Sequence, residues 1–393
     1  MDIISRNITL LRKNGIVVSL FLFQYSLLIP LMRYISTSLL IGVSGIVLLA
    51  ATIFINRRLI VNLRIALVIA VLSVIMLVKI VYDQSDPKVL LNFLMISVPP
   101  AIIFSYKFDA DTFIAWGKKL SIINFLLLFM TPFIGRRVAY MRFGYGMLLT
   151  VIFVYISMFS IKDERKTLVN KGTQNVFLMI IFIISLVETI IYGSRGALIV
   201  VLTFIAIDRL FIHGKNLAKN LTLIIVGFVA LINLESILNG LIWLSNRAGV
   251  NSYALKKYQY QLIYGLEEAS SGRTRIYSTA LETIKEYPIF GAKMITYDDG
   301  TLYAHNLFLQ AGRDLGVLAA VISIIFVIYC VYLLVTKKLD VNKKVVISVF
   351  FCVSVIRLMM SSNLWERPEF WALVCIVLNY RTIFGKLEIT ASV

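Results

Sequence analysis

Runs of about twenty apolar residues recur along this chain, broken by short polar turns. A run of that length crosses the roughly 30 Å hydrocarbon core of a bilayer as a helix. On that ruler the pattern predicts about twelve spans: residues 15–33, 36–56, 66–83, 89–106, 119–135, 144–161, 174–192, 196–212, 221–239, 310–335, 345–361 and 369–385. Membrane strands would instead read as alternating segments of about ten residues, so helices are the spanning form. The expected fold is all-α, one polytopic membrane domain over residues 1–393. Residues 15–32 are long enough to span and no small-residue cleavage site follows, so they read as a span rather than a leader.

One stretch departs from the pattern. Residues 239–304 are polar and hold SGRTR (271–275), YPIFGAK (287–293) and the start of AHN (304–306). Tyr277, Ala280, Leu281, Ile284 and Tyr287 recur there at helical spacing, with Glu282, Lys285 and Glu286 elsewhere on the surface. The spacing predicts an amphipathic helix lying along the interface, capped by Ser271 or Thr274 and ended by Pro288. No internal repeat, low-complexity tract or soluble second domain is visible.

Composition agrees with the pattern. The chain is 59% hydrophobic and 15% charged with mean hydropathy +0.87, whereas a soluble domain is about a quarter charged. The net charge of +18 would suit nucleic acid in a soluble protein. Here more than half of the 39 Lys and Arg fall in alternate turns, with Arg57, Arg58, Lys162, Arg165, Lys337 and Lys338 among them. Basic residues in short loops mark the cytoplasmic side, so nucleic acid is not the expected partner. Both termini are then cytoplasmic, and the 239–304 loop is extracytoplasmic. Cys330, Cys352 and Cys375 all lie in apolar runs, which excludes a disulfide scaffold in the loop.

Ionisable groups at membrane depth need a partner or a job. Arg195, in YGSRGAL at the outer end of the seventh run, either pairs with Glu188 two turns earlier or binds an anion. Arg273 opens the loop helix, where free N–H groups and the dipole favour anions and a guanidinium matches phosphate oxygens. His305 begins HNLFLQAGRDLG in the company of Asn306, Arg313 and Asp314, and imidazole is the side chain best suited to moving a proton near neutral pH. Ser271, Tyr297 and Tyr303 complete the candidate substrate contacts. His213 reads as an ordinary loop residue; Pro99-Pro100 as a helix break; Lys79 and Arg357 lie near membrane ends. A single outward His and no outward Cys make a His/Cys metal cluster implausible, so no metal and no cofactor are expected; Asp298 and Asp299 leave a weak hard-cation alternative. P-loop, GxGxxG and GxSxG signatures are absent.

SRG at the end of one span, then SGR, a helix, EYPIFGA and AHNLFLQAGRDLG, resembles the characteristic block of the O-antigen polymerase and ligase family. The resemblance covers about residues 187–335 in motifs and the whole chain in topology. It implies a GT-C-like helical glycosyltransferase acting on undecaprenyl-pyrophosphate-linked oligosaccharides, donor and acceptor, at the outer face of the cytoplasmic membrane. The family's arginines fall on Arg195 and Arg273 and its histidine on His305. A chain-length regulator, a flippase and membrane lipids are the implied partners. Gly291-Ala292-Lys293 departs from the commoner GxG.

The resemblance leaves two activities open. A polymerase joins repeat units to one another; a ligase passes the finished chain to the lipid A core. The compact SGR–PxxG–HN loop favours the polymerase. A lipid-linked oligosaccharide flippase is the remaining rival, but it would show repeat symmetry and discontinuous helices.

Overall fold

The computed structural model describes residues 3–131, 140–160, 168–213, 234–247, 255–256, 260, 273–294, 303–336 and 339–384. The chain divides into two compact units, residues 1–120 with 283–393, and residues 121–282. Among the described residues every regular element is helical, with one isolated bridge between Phe108 and Phe384.

In the first unit α1 (Ile3–Leu28), α2 (Thr37–Asn56), α3 (Leu63–Tyr82) and α4 (Pro87–Ile103) follow in order, and α5 (Ala110–Phe129) leaves it. After residue 283 come α11 (Leu307–Leu315), α12 (Val317–Val335), α13 (Val341–Phe351), α14 (Arg357–Ser361) and α15 (Pro368–Leu378). Local chemistry sets the starts. Ser36, Asn62, Asp86 and Asp340 each accept a backbone N–H at a helix N-terminus, which satisfies a donor the helix itself leaves unpaired.

The core of this unit is aromatic. Phe104 meets Phe21, Phe108 and Phe350 edge-on at 5.5, 6.1 and 5.4 Å. Trp365 and Trp371 stack at 6.2 Å and Phe93 closes on both. Such pairs add about 0.5–1.5 kcal/mol each beyond their buried area.

The second unit holds α6 (Tyr140–Tyr155), α7 (Leu168–Tyr192), α8 (Arg195–Ile207) and α9 (Leu234–Arg247). π-helical turns extend α6 over Ile156–Ser160 and α8 over Asp208–Ile212. Helix α10 (Arg273–Glu286) runs across the boundary between the units.

Six helices among the described residues are long and apolar enough to cross a membrane: Thr37–Asn56, Leu63–Tyr82, Ala110–Phe129, Met141–Phe159, Val317–Val335 and Val341–Ser361. Pro87–Ile103, Val176–Tyr192 and Pro368–Leu378 are apolar but shorter. The set supports a polytopic membrane protein; the expected total of twelve is not reached among the described residues, and most of 221–239 lies outside them. Exposure separates two kinds of span. Leu63–Tyr82 has 17% of its apolar window buried, whereas Val341–Ser361 has 83%. The first kind leaves most of its apolar side chains exposed, as suits a helix bordering hydrocarbon.

Three boundaries differ from the expected ones. Helix α1 starts at Ile3, twelve residues before the apolar run, because a helix continues past the bilayer wherever its backbone is not interrupted. The run at 310–335 is cut at Gly316, whose φ of +89° ends α11 and starts α12. Pro99-Pro100 do not break α4, which runs through both to Ile103. They fall close to its C-terminal end, and the helix continues three residues beyond them. Pro99 lies 3.4 Å from where a Cβ on Gly45 of α2 would stand.

Candidate functional site

Two groups of the expected site residues are described, one in each unit. In the unit 121–282, α7 ends at Tyr192 and the chain turns through Gly193 and Ser194 into α8, so Arg195 is the first residue of α8 rather than the last of the preceding helix. The corner is tight. A Cβ on Gly193 would strike the Thr189 carbonyl oxygen and lie 3.0 Å from the Gly144 Cα of α6. Gly144 in turn would meet the Ser194 nitrogen at 2.6 Å. The glycine before Arg195 therefore serves helix–helix approach. Arg195 itself is half-buried at a helix N-terminus. Glu188 is 5% exposed and neither carboxylate oxygen has a hydrogen-bond partner. The hydrogen-bonded Glu188–Arg195 pair is thus not formed.

Arg273 is the first residue of α10, half-buried. Ile276 and Ala280 are the buried residues of this helix, while Leu281 and Tyr287 are 49% and 47% exposed. The buried face is therefore rotated from the expected one, toward Ile276. Ser271 and Tyr297 lie outside the described residues, as do Asp298 and Asp299.

The second group begins at Tyr303. Its ring lies 4.1 Å from that of His305. His305 has φ +50°, a left-handed conformation that costs a non-glycine residue about 1–2 kcal/mol. Asn306 follows as the N-cap of α11, its Oδ1 accepting from the Phe308 and Leu309 N–H groups at 2.9 and 3.1 Å. The cap follows His305 directly and fixes the start of α11. Strain of this kind persists where surrounding structure over-determines it, as at ligand sites.

Further along α11, Arg313 places Nε and Nη2 on Asp314 Oδ1 at 2.9 and 2.7 Å. Trp365 Nε1 donates to Asp314 Oδ2 at 2.8 Å, and Gln310 Nε2 donates to Asn363 Oδ1 at 2.5 Å. Gln310 Oε1 accepts the Leu364 N–H at 3.1 Å. Gln310 and Asp314 are 1% and 2% exposed, so α11 is locked to the segment before α15 through buried, satisfied polar groups.

Its other flank is held by the YPIFGAK segment. The Ala292 N–H donates to the Arg313 carbonyl at 2.7 Å and the Val317 N–H to the Pro288 carbonyl at 2.8 Å. Gly291, at φ +69°, fits because a Cβ there would lie 2.5 Å from both the Asp314 carbonyl carbon and the Leu315 nitrogen. The far side of the segment rests on the α3–α4 turn. Lys79 donates to the Phe290 and Gly291 carbonyls at 3.0 and 3.2 Å and pairs with Asp83 at 2.8 Å. The Met294 N–H donates to Ser85 Oγ at 2.9 Å and the Asp86 N–H to the Met294 carbonyl at 2.9 Å. Residues 287–294 thus form a strap from α3 to the His305 helix.

Burial favours the neutral form of the Asp83 carboxyl, but hydrogen bonds from Lys79 and Ser85 outweigh it and hold the group below its ordinary value. Elsewhere, His213 is not an ordinary loop residue. Its Nδ1 lies 3.0 Å from Oδ1 of the fully buried Asp208, whose Oδ2 accepts the Tyr155 hydroxyl at 3.0 Å. Sequence reading passed over Asn363 and Trp365, and it noted Lys79 and Asp314 without assigning their partners. An Asp beside an Arg and a Lys in an apolar run were the available signals.

Residues 177–324 match the family model described as O-antigen ligase. Over that segment the chain is similar to the O-antigen ligase family. The matched segment holds Arg195, Arg273, His305 and Arg313, the positions the motifs had singled out. Search of curated proteins gives no match. Independently of that similarity, six helices of membrane-spanning length and composition among the described residues support a multi-pass membrane protein.

Proposed function

We propose that the protein is a polymerase that joins undecaprenyl-pyrophosphate-linked oligosaccharide repeat units at the outer face of the cytoplasmic membrane. The observation that carries this reading is His305, left-handed and directly before the Asn306 cap of a helix locked from both flanks. A general base needs that fixed placement before its pKa matters.

In the proposed reaction a sugar hydroxyl of the acceptor attacks the anomeric carbon of the donor. The carbon–oxygen bond to the donor pyrophosphate breaks, and undecaprenyl pyrophosphate leaves with the electron pair. His305 takes the hydroxyl proton, which is typically worth about 10²–10⁴ in rate. The leaving group is already anionic, so it needs cations rather than a protonating acid. Arg195 and Arg273, each at a helix start, would bind it and stabilise charge on the departing oxygen. Arg313 is paired with Asp314 and is read as shaping the site through α11 rather than as a primary phosphate clamp. Tyr303 offers an aromatic face for a sugar ring beside His305. Neither nucleotide nor metal enters these steps.

The ligase reading is kept because the matching family model is described by that activity. The test is the ladder of surface polysaccharide on a gel from a deletion strain complemented with Arg195→Ala, Arg273→Ala or His305→Ala at wild-type expression. The polymerase reading expects single repeat units on the final acceptor. Long polymer stranded on its carrier would support the ligase instead, and full-length polymer on the acceptor in all three would overturn both.

A further inference from the structure

The strap lies at one end of α3, where Lys79 is. The opposite end of the same helix carries a different feature. Arg64, in the first turn of α3, lines a cavity of about 440 Å³ with Tyr329, Asn379, Tyr380 and Arg381. A second cavity of about 330 Å³ shares Tyr380 and Arg381 and adds Lys343. Both volumes fall in the roughly 300–1,000 Å³ range of small-molecule sites.

The walls are fixed by the protein itself. Asn62 Nδ2 donates to Asn379 Oδ1 at 2.7 Å, and the Phe108 N–H donates to the Ile383 carbonyl at 3.0 Å. The Tyr329 ring meets those of Tyr332 and Tyr380 at 6.1 and 6.3 Å. Arg381 Nε donates to the Tyr380 hydroxyl at 2.9 Å, which aims the guanidinium along the wall.

Charge and setting indicate the ligand. Arg64, Lys343 and Arg381 line the two cavities, and among the described residues no carboxylate does; Asp340 engages Lys343 at 2.9 Å from outside the lining. One turn away on the same helices the surface is apolar and turned outward. Leu67 is 58% exposed on α3 and Ile325 is 60% exposed on α12. A cationic cavity with tyrosines at its rim and lipid-facing aliphatic flanks suits a molecule that has an anionic head and acyl chains.

We propose that these cavities hold the phosphate headgroup of an anionic phospholipid, in the leaflet that the basic residues mark as cytoplasmic. The proposal stands apart from glycan transfer, since no residue placed in that chemistry lines the cavities.

Native mass spectrometry tests it on the full chain released from nanodiscs of equal phosphatidylglycerol and phosphatidylcholine. Wild type should retain phosphatidylglycerol at least about tenfold over phosphatidylcholine, and the combined R64Q, K343Q and R381Q variant should lose that preference. Equal retention of both lipids, or an unchanged preference in the variant, would overturn the proposal. So would displacement of the lipid by millimolar inorganic phosphate, which would mark a free-anion site. Phosphatidylglycerol should also raise the melting temperature of wild type but not of the variant, with both equal in phosphatidylcholine discs. A lower variant melting temperature in phosphatidylcholine alone would assign these side chains to the fold and count against the proposal.

Discussion

Lys79 donates a hydrogen bond to the Phe290 carbonyl at 3.0 Å, joining positions 211 residues apart in the chain. The ammonium is 5% exposed and also serves Gly291 and Asp83. Removing one member of a buried charged group costs about 3–5 kcal/mol, mainly because the partners are stranded. Lys79→Met should therefore lower the melting temperature in detergent and reduce polymer yield, while Lys79→Arg loses less of both. Wild-type stability in Lys79→Met would mean that backbone bonds alone hold the strap.

Acid should release the same contact. Although burial opposes it, hydrogen bonds from Lys79 and Ser85 hold the folded-state Asp83 carboxyl below its ordinary value. Its stabilisation is then complete above the unfolded-state value and is lost as pH falls through the lower folded-state one. Asp83→Asn should shrink the drop in unfolding midpoint between pH 5 and pH 3, read by thermal denaturation. An identical acid limb in variant and wild type would contradict the pairing.

The strap also makes a glycine prediction. Gly291→Ala and Gly316→Ala each place a methyl group against backbone, Gly291 on Asp314 and Gly316 on the Ile289 carbonyl, at φ +69° and +89°. A left-handed backbone alone costs a side chain about 1–2 kcal/mol, and the clash adds to it. Both variants should express poorly or melt early. Gly240→Ala is the contrast: nothing stands within 4 Å of its Cβ, and alanine favours helix by about 0.5–1 kcal/mol. It should match or exceed wild type.

Asp314 ties Arg313 to Trp365 within α11 and its neighbour. Asp314→Ala should cost about 3–5 kcal/mol, since it leaves a guanidinium and an indole N–H without their acceptor. Asp314→Asn keeps an acceptor for the indole and should cost less, measured by unfolding midpoint. Equal losses would show that only the charge matters.

The helices were legible where chain-local chemistry decides them. Asp86 before Pro87 and Asn62 before Leu63 are caps that a reader can see, and α2 matches the expected 36–56 almost residue for residue. Arg273 and His305 could be singled out in the sequence because they stand at or just before helix starts that their neighbours signal. The glycine at 316 was harder: nothing in the apolar run announces a left-handed residue there, and only the close approach of Ile289 requires it. Lys79 was noted but not assigned, because its partners lie in a distant segment. Asn363 and Gln310 were missed for the same reason, being 53 positions apart. Pairings of that separation are fixed by packing, which no local pattern encodes.

The central claim is that His305 accepts the acceptor hydroxyl proton during lipid-linked glycan transfer. It is tested by purified protein in detergent, given undecaprenyl-pyrophosphate oligosaccharide, with chain length and released undecaprenyl pyrophosphate followed by mass spectrometry. Wild type should extend the oligosaccharide, and His305→Ala should slow it about 10²–10⁴-fold while keeping the wild-type melting temperature. Extension at the wild-type rate in His305→Ala would contradict the account.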